Sequence, residues 1–263
     1  MPPRIEPGLV PVVTDLERGL RELSIPFGIL GALVPELLLD VRPARMTNDA
    51  DVTIVVQSLA DFETLKNRLA DFGFTRTRLP HRMEHRSGGL VDLLPFSESI
   101  APDGRLQLED GFVFNMAGFG QVVPNALQTV LDDGPTLPLA PLPLYALLKL
   151  VAFSDRKQSK DLAGVFHCLQ HYLEADERRY GADHLGEGVP YEYTCAYLLG
   201  ADGRRFLDKP LRDAVTGVLD RFSDPDANVI GIIAREKGRL LIEDADRSDI
   251  FEHFRWYRLG VGL

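Results

Sequence analysis

Residues 45–56 read Arg45-Met46-Thr47-Asn48-Asp49-Ala50-Asp51-Val52-Thr53-Ile54-Val55-Val56, two carboxylates at the mouth of an apolar, β-branched run. The run is a strand signal. Residues two apart on a strand point to the same face, so Asp49 and Asp51 converge on one side if both belong to it. Like charges that close repel unless a cation or a basic group lies between them. Taken alone, such a pair is more often a solvated strand end. Two other features weigh against that reading. Asp92 lies inside a second apolar run, Leu90-Val91-Asp92-Leu93-Leu94, where a charge is costly unless it is paired or metal-bound. Gly31 stands at the end of a third, Phe27–Leu30. Three carboxylates from neighbouring strands suit hard divalent ions, which take oxygen ligands and keep positions for substrate phosphates. Two such ions hold attacking and leaving oxygens in line for phosphoryl transfer.

Outward from that stretch, the composition is that of an ordinary globular chain: 263 residues, 45% hydrophobic and 26% charged. A net charge of −10 argues against a broad nucleic-acid coat but leaves room for a local basic cleft. The apolar runs are too short or too interrupted to span a bilayer. The start, MPPRIEPGLV, lacks the pattern of a signal peptide. Cys168 and Cys195 are far apart and read as free thiols. Together these lead to an expected cytoplasmic location with no membrane partner.

The first half reads as mixed α/β. Val12–Leu23, Ala32–Leu39 and Leu59–Phe72 carry helical periodicity; Phe27–Leu30, Asp51–Val56, Phe74–Leu79, His81–His85, Leu90–Leu94 and Phe112–Met116 read as strands. Four prolines crowd residues 133–143, DGPTLPLAPLP, which suggests a stiff linker and places a boundary there. The expected domains are 1–133 and 134–263. The second is mostly helical, over Leu142–Ser154, Ser159–Leu173, Val189–Leu199 and Pro210–Phe222; the tail from Asn228 fits either a helix or a hairpin about Lys237-Gly238. The fold class is thus α+β: a small, largely antiparallel mixed sheet flanked by helices, followed by a helical domain.

The segments Gly28-Ile29-Leu30-Gly31-Ala32, Arg45-Met46-Thr47-Asn48-Asp49-Ala50-Asp51-Val52 and Val91-Asp92-Leu93 together resemble the nucleotidyltransferase superfamily with the DNA polymerase β-like fold. The pattern R-x-T-x-D-x-D looks most like the AbiEii/AbiGii-type toxin nucleotidyltransferases, in which a lysine helix and a Lys-Asp pair follow. Here Leu147-Leu148-Lys149-Leu150 and Lys160-Asp161-Leu162 match. The resemblance covers about residues 20–175. It implies an enzyme that moves an NMP from an NTP to an acceptor hydroxyl with Mg²⁺ or Mn²⁺. Asp49, Asp51 and Asp92 would hold metal, with Asp92 also as a base. Gly31 and Ala32 would form the triphosphate turn, Arg45 and Thr47 the loop beside the acids, Lys149 a phosphate contact. Lys160 and Asp161 would position Lys149 or contact nucleotide. Superfamily members commonly carry Ser where this chain has Ala32. The acceptor implied is RNA, such as a tRNA end, with an antitoxin as partner. A small-molecule acceptor, as in antibiotic nucleotidyltransferases, and a degenerate binding protein are the alternatives.

Other signals carry less. Asp244 and Asp246 repeat the D-x-D spacing without a glycine turn or a third acid, and read as a helix start or a turn. His167 and His171 have metal spacing on a helix but lack a third ligand. In His81-Arg82-Met83-Glu84-His85-Arg86, either a solvated strand pair results or Arg82 or Arg86 faces phosphate or an RNA acceptor.

Overall fold

The acid-bearing run is a strand because its β-branched residues fit a pleated, buried surface. In the computed structural model, which describes residues 5–41, 43, 47–109, 111–131, 134–181, 186–236 and 243–263, β2 spans Asp49–Val55 and begins two residues earlier than its apolar part. Val52 and Ile54 are fully buried, whereas Asp49 and Asp51 are half-buried. Contacts divide the chain into two units, Met1–Leu38 with Arg45–Pro141, and Leu39–Ala44 with Leu142–Leu263.

The first unit is built on one mixed sheet of seven strands in the order β3-β4-β5-β2-β1-β9-β8. These are β1 (Phe27–Leu30), β2, β3 (Phe74–Arg76), β4 (Arg82–His85), β5 (Leu90–Phe96), β8 (Leu127–Val130) and β9 (Thr136–Leu139); β6 (Arg105–Gln107) and β7 (Val113–Asn115) form a separate pair. Four of the six pairings in the large sheet are antiparallel, and β2–β5 and β1–β9 are parallel. The mixed α/β class and the largely antiparallel sheet agree with the sequence reading.

Helices α1 (Val10–Glu22), α2 (Leu33–Leu38) and α3 (Leu59–Arg68) belong to this unit. Helix α1 buries the stripe Val12, Val13, Leu16 and Leu20. Its Asp15 ties it to the β4–β5 hairpin, accepting hydrogen bonds from Arg86 Nη2 at 2.6 Å and His85 Nε2 at 3.1 Å. Helix α3 lies in sequence between β2 and the β3–β4 hairpin, and Ser58 caps it by accepting from the Asp61 N–H. It stops at Arg68, where a 3₁₀ turn over Leu69–Phe72 leads to Gly73 at φ +89°. Periodicity alone carries the helix through that turn, but the tighter turn and left-handed glycine end it.

The proline-rich segment is not a linker. Residues Thr136–Leu139 form β9, which pairs with both β1 and β8, and the first unit runs on to Pro141 instead of ending at 133. Its prolines hid the strand, since proline lacks a donor for a ladder.

The second unit is helical: α4 (Leu142–Arg156), α5 (Ser159–His171), α6 (Thr194–Gly203), α7 (Lys209–Leu219), α8 (Asn228–Glu236) and α9 (Asp244–Val261). Helix α6 starts at Thr194, not Val189, because Pro190 is followed by a 3₁₀ turn over Tyr191–Tyr193. The tail is helical on both sides of Lys237-Gly238, which itself lies outside the described residues. Asp244 and Asp246 occupy the first turn of α9, as a helix start should. Cys168 and Cys195 are buried free thiols. His167 Nε2 donates to the Val41 carbonyl at 2.9 Å, which accounts for it without a metal.

Candidate active site

Register brings the acids together. β2 and β5 run parallel with Asp51 opposite Asp92 and Asp49 opposite Leu90. β4 runs antiparallel to β5 with Arg82 opposite Asp92. On the other side, β1 pairs with β2 so that Leu30 lies opposite Asp51, and Gly31 follows at the strand's end. A row across four strands thus reads Arg82, Asp92, Asp51, Leu30. Asp49 lies on the same face of β2 as Asp51, two residues upstream.

Gly31 is fixed by that row. Its φ is +85°, in the left-handed region, and a Cβ there would sit 1.9 Å from Oδ2 of Asp51. Any side chain is excluded twice, by the backbone and by the carboxylate. Ala32 follows, and α2 begins at Leu33.

Asp49 is held from the other side. Thr47 Oγ1 donates to Asp49 Oδ1 at 2.6 Å, while the Thr47 backbone N–H donates to Glu36 Oε1 at 2.8 Å. Glu36, on α2, is only 3% exposed. It orients Thr47, and Thr47 orients Asp49. Glu36 was not among the residues expected from sequence, although an acid in Leu33-Val34-Pro35-Glu36-Leu37-Leu38 is a signal of the same kind as Asp92. Arg45 lies outside the described residues.

Asp92 is engaged by Arg82. Nε donates to Oδ1 at 2.6 Å and Nη2 to Oδ2 at 2.7 Å, a two-pronged pair, and Nη2 also reaches Asp49 Oδ2 at 3.3 Å. Hydrogen bonding to Asp92 is the main cause that raises the Arg82 pKa above its ordinary value, against the opposing effect of burial, and the charges of Asp92, Asp49 and Asp51 add to it. The basic hexapeptide therefore divides: Arg82 turns to the acids, whereas Arg86 goes to Asp15. Among the described residues, no three acidic, histidine or cysteine side chains are arranged as a metal centre. In donor chemistry the three carboxylates do fit a hard divalent cation. In this structure two of them are drawn to a guanidinium.

Within the second unit, Asp161 is fully buried on α5 and gathers two cations. Arg156 donates to it through Nε at 2.7 Å and Nη2 at 2.5 Å, and Lys149 Nζ lies 3.3 Å from Oδ1. A carboxylate so enclosed anchors Lys149. Lys160, one residue before it, is exposed.

No protein-family model matches the chain, and no curated protein matches it. Among solved structures it is similar to an antigenic nucleotidyltransferase-like protein from Paracoccidioides brasiliensis, at 16% identity over 86% of this chain and 94% of that one, with a TM-score of 0.44. It is similar to the antibiotic-resistance factor ANT(2'')-Ia at 13% identity, covering 82% and 92%, with a TM-score of 0.36. The CCA-adding enzyme of Thermotoga maritima, solved with tRNA, aligns at 13% identity over 99% and 84%, with a TM-score of 0.29. Among the described residues, no helix is long and apolar enough to cross a membrane.

Proposed function

We propose that the chain is a metal-dependent nucleotidyltransferase of the DNA polymerase β-like superfamily, moving an NMP from an NTP to an acceptor hydroxyl with release of pyrophosphate. The observation that carries this reading is the pairing of Asp51 with Asp92 across β2 and β5, with Asp49 on the same face and Gly31 closing the row. Three carboxylates on one face of two neighbouring strands, beside a glycine that admits no side chain, suit polyphosphate chemistry better than they suit stability, since like charges so placed cost free energy.

Asp49, Asp51 and Asp92 would hold Mg²⁺ or Mn²⁺. That ion would supply charge neutralisation and in-line positioning of the reacting oxygens. The protein's own part is positioning: Glu36 and Thr47 set Asp49, and Gly31 lets the backbone approach the nucleotide's phosphates. Asp92 accepts the acceptor's proton only where Arg82 has given way, because both its oxygens are otherwise engaged. In this proposal Lys149, steadied by Asp161, and the exposed Lys160 are cationic contacts to the nucleotide. Catalysis by placement and electrostatics asks little else of the chain.

For the acceptor we propose an RNA hydroxyl, such as a tRNA end, with a neutralising antitoxin as partner and a cytoplasmic setting; the support is the R-x-T-x-D-x-D pattern of residues 45–51. The test incubates the protein with each α-labelled NTP, Mg²⁺ or Mn²⁺, and total RNA or an aminoglycoside. Label on RNA that needs intact Asp49 and Asp51 supports the reading. Label on the aminoglycoside alone moves the acceptor to small molecules. If the wild type labels no acceptor, yet calorimetry shows NTP binding that survives the double Asp→Ala change, the metal-site assignment is overturned.

A further inference from the structure

Arg82 occupies the acids in a way that the transfer reaction does not require. Its guanidinium takes both oxygens of Asp92 and one of Asp49, at 2.6, 2.7 and 3.3 Å. Those same lone pairs are the ones a hard cation would need. A guanidinium and a divalent ion compete for them, because the two positive charges repel at contact distance and each needs the carboxylates for compensation. The pair is also poorly sealed: Arg82 keeps 27% of its side-chain exposure, so releasing it does not strand a charge in an apolar core. Room for release exists. Arg82 lines a cavity of about 140 Å³ together with Glu63, Glu109, Lys66, Arg76 and Arg78; Glu63 is already paired with Lys66 and Arg76, which leaves Glu109 to meet a displaced guanidinium.

We infer that Arg82 is the resident counter-cation of the acid cluster, so that a divalent metal binds Asp49, Asp51 and Asp92 only by displacing it. This rests on the proposed metal site. It gives Arg82 a positioning role distinct from contact with substrate: it holds Asp49 and Asp92 on one face until a metal arrives, and it sets how much metal is needed. The R82K variant should keep the competition, since an ammonium is still a cation, though without the two-pronged geometry.

The experiment titrates Mn²⁺ into wild type, R82Q, R82K and a D49N/D92N variant, reading free Mn²⁺ by electron paramagnetic resonance and fold by circular dichroism. Removing one competing charge should tighten Mn²⁺ binding about tenfold or more in R82Q, the scale of a single charge–charge coupling. R82K should lie near wild type, and D49N/D92N should lose binding. In thermal melts R82Q should start lower and gain more from Mn²⁺ than wild type, which a purely structural salt bridge would not produce. Equal or weaker Mn²⁺ affinity in a folded R82Q overturns the inference while leaving the metal site standing. Absence of acid-dependent Mn²⁺ binding in both wild type and R82Q overturns the metal site along with it.

Discussion

A Cβ on Gly31 would lie 1.9 Å from Oδ2 of Asp51. The glycine is therefore part of the acid's environment as much as a turn residue. Gly31→Ala forces either the +85° backbone or the carboxylate to move, and should cost about 3 kcal/mol, the sum of left-handed strain and overpacking. Urea unfolding measures it. An unchanged midpoint would mean that Asp51 turns aside at little cost.

Thr47 joins Glu36 to Asp49 through its backbone and its hydroxyl. Thr47→Val keeps the shape and removes only the hydroxyl donor. Nucleotide transfer should fall about tenfold, with stability lowered by about 1 kcal/mol. Parallel assays of labelled-NTP transfer and chemical unfolding separate the two effects; loss of stability without loss of rate would remove Thr47 from the site.

Asp161 is fully buried between Lys149 and Arg156. Asp161→Ala leaves two cations with no shared anion and should destabilise the protein by about 3 kcal/mol, whereas Lys149→Met should cost much less, because Arg156 still satisfies the carboxylate. Denaturant midpoints of the two variants decide it. If Lys149→Met proves the more damaging, the lysine rather than the aspartate organises the cluster.

Asp15 sets a pH dependence. Burial alone would raise its pKa, but hydrogen bonds from His85 and Arg86 and the charges of Arg18 and Arg86 outweigh it and hold the carboxyl below its ordinary 3.8. A folded-state pKa below the unfolded one gives stability that is present above pH 3.8 and is lost as pH falls through the lower folded value. Asp15→Asn should therefore be less stable than wild type near neutrality, and the gap should close below pH 3.8. Melting temperatures across pH 2.5–7 (about half-unit steps suffice) test this; a gap that widens on acidification would refute it.

Much of this is legible in the sequence. The β-branched run at Val52–Val55 and the apolar run at Leu90–Leu94 disclose the central strands, and an aspartate inside the second marks it as special. Amphipathic periodicity disclosed α1, α4, α5 and α7. What stayed hidden depended on partners distant in sequence. β8 and β9 are short, and Pro138 masks β9, so only pairing with β1 and with each other makes them strands. Arg82 stood out as basic, yet nothing local says that its register puts it opposite Asp92 while Arg86, four residues on, reaches the aspartate of α1. Glu36 became visible only through Thr47. Composition reports what a residue prefers; long-range register decides what it meets.

The register of the row also orders its assembly in time. Arg82 and Asp92 are ten residues apart on one hairpin, whereas Asp51 meets Asp92 only after a parallel crossover through α3. Short loops close at lower entropic cost and sooner than long crossovers. On loop-closure cost alone, Asp92 is expected to acquire its cationic partner before the second carboxylate arrives beside it. The repulsion that would oppose docking of β2 onto β5 is already screened, and the guanidinium acts as an internal folding aid for a site whose charges would otherwise resist being brought together.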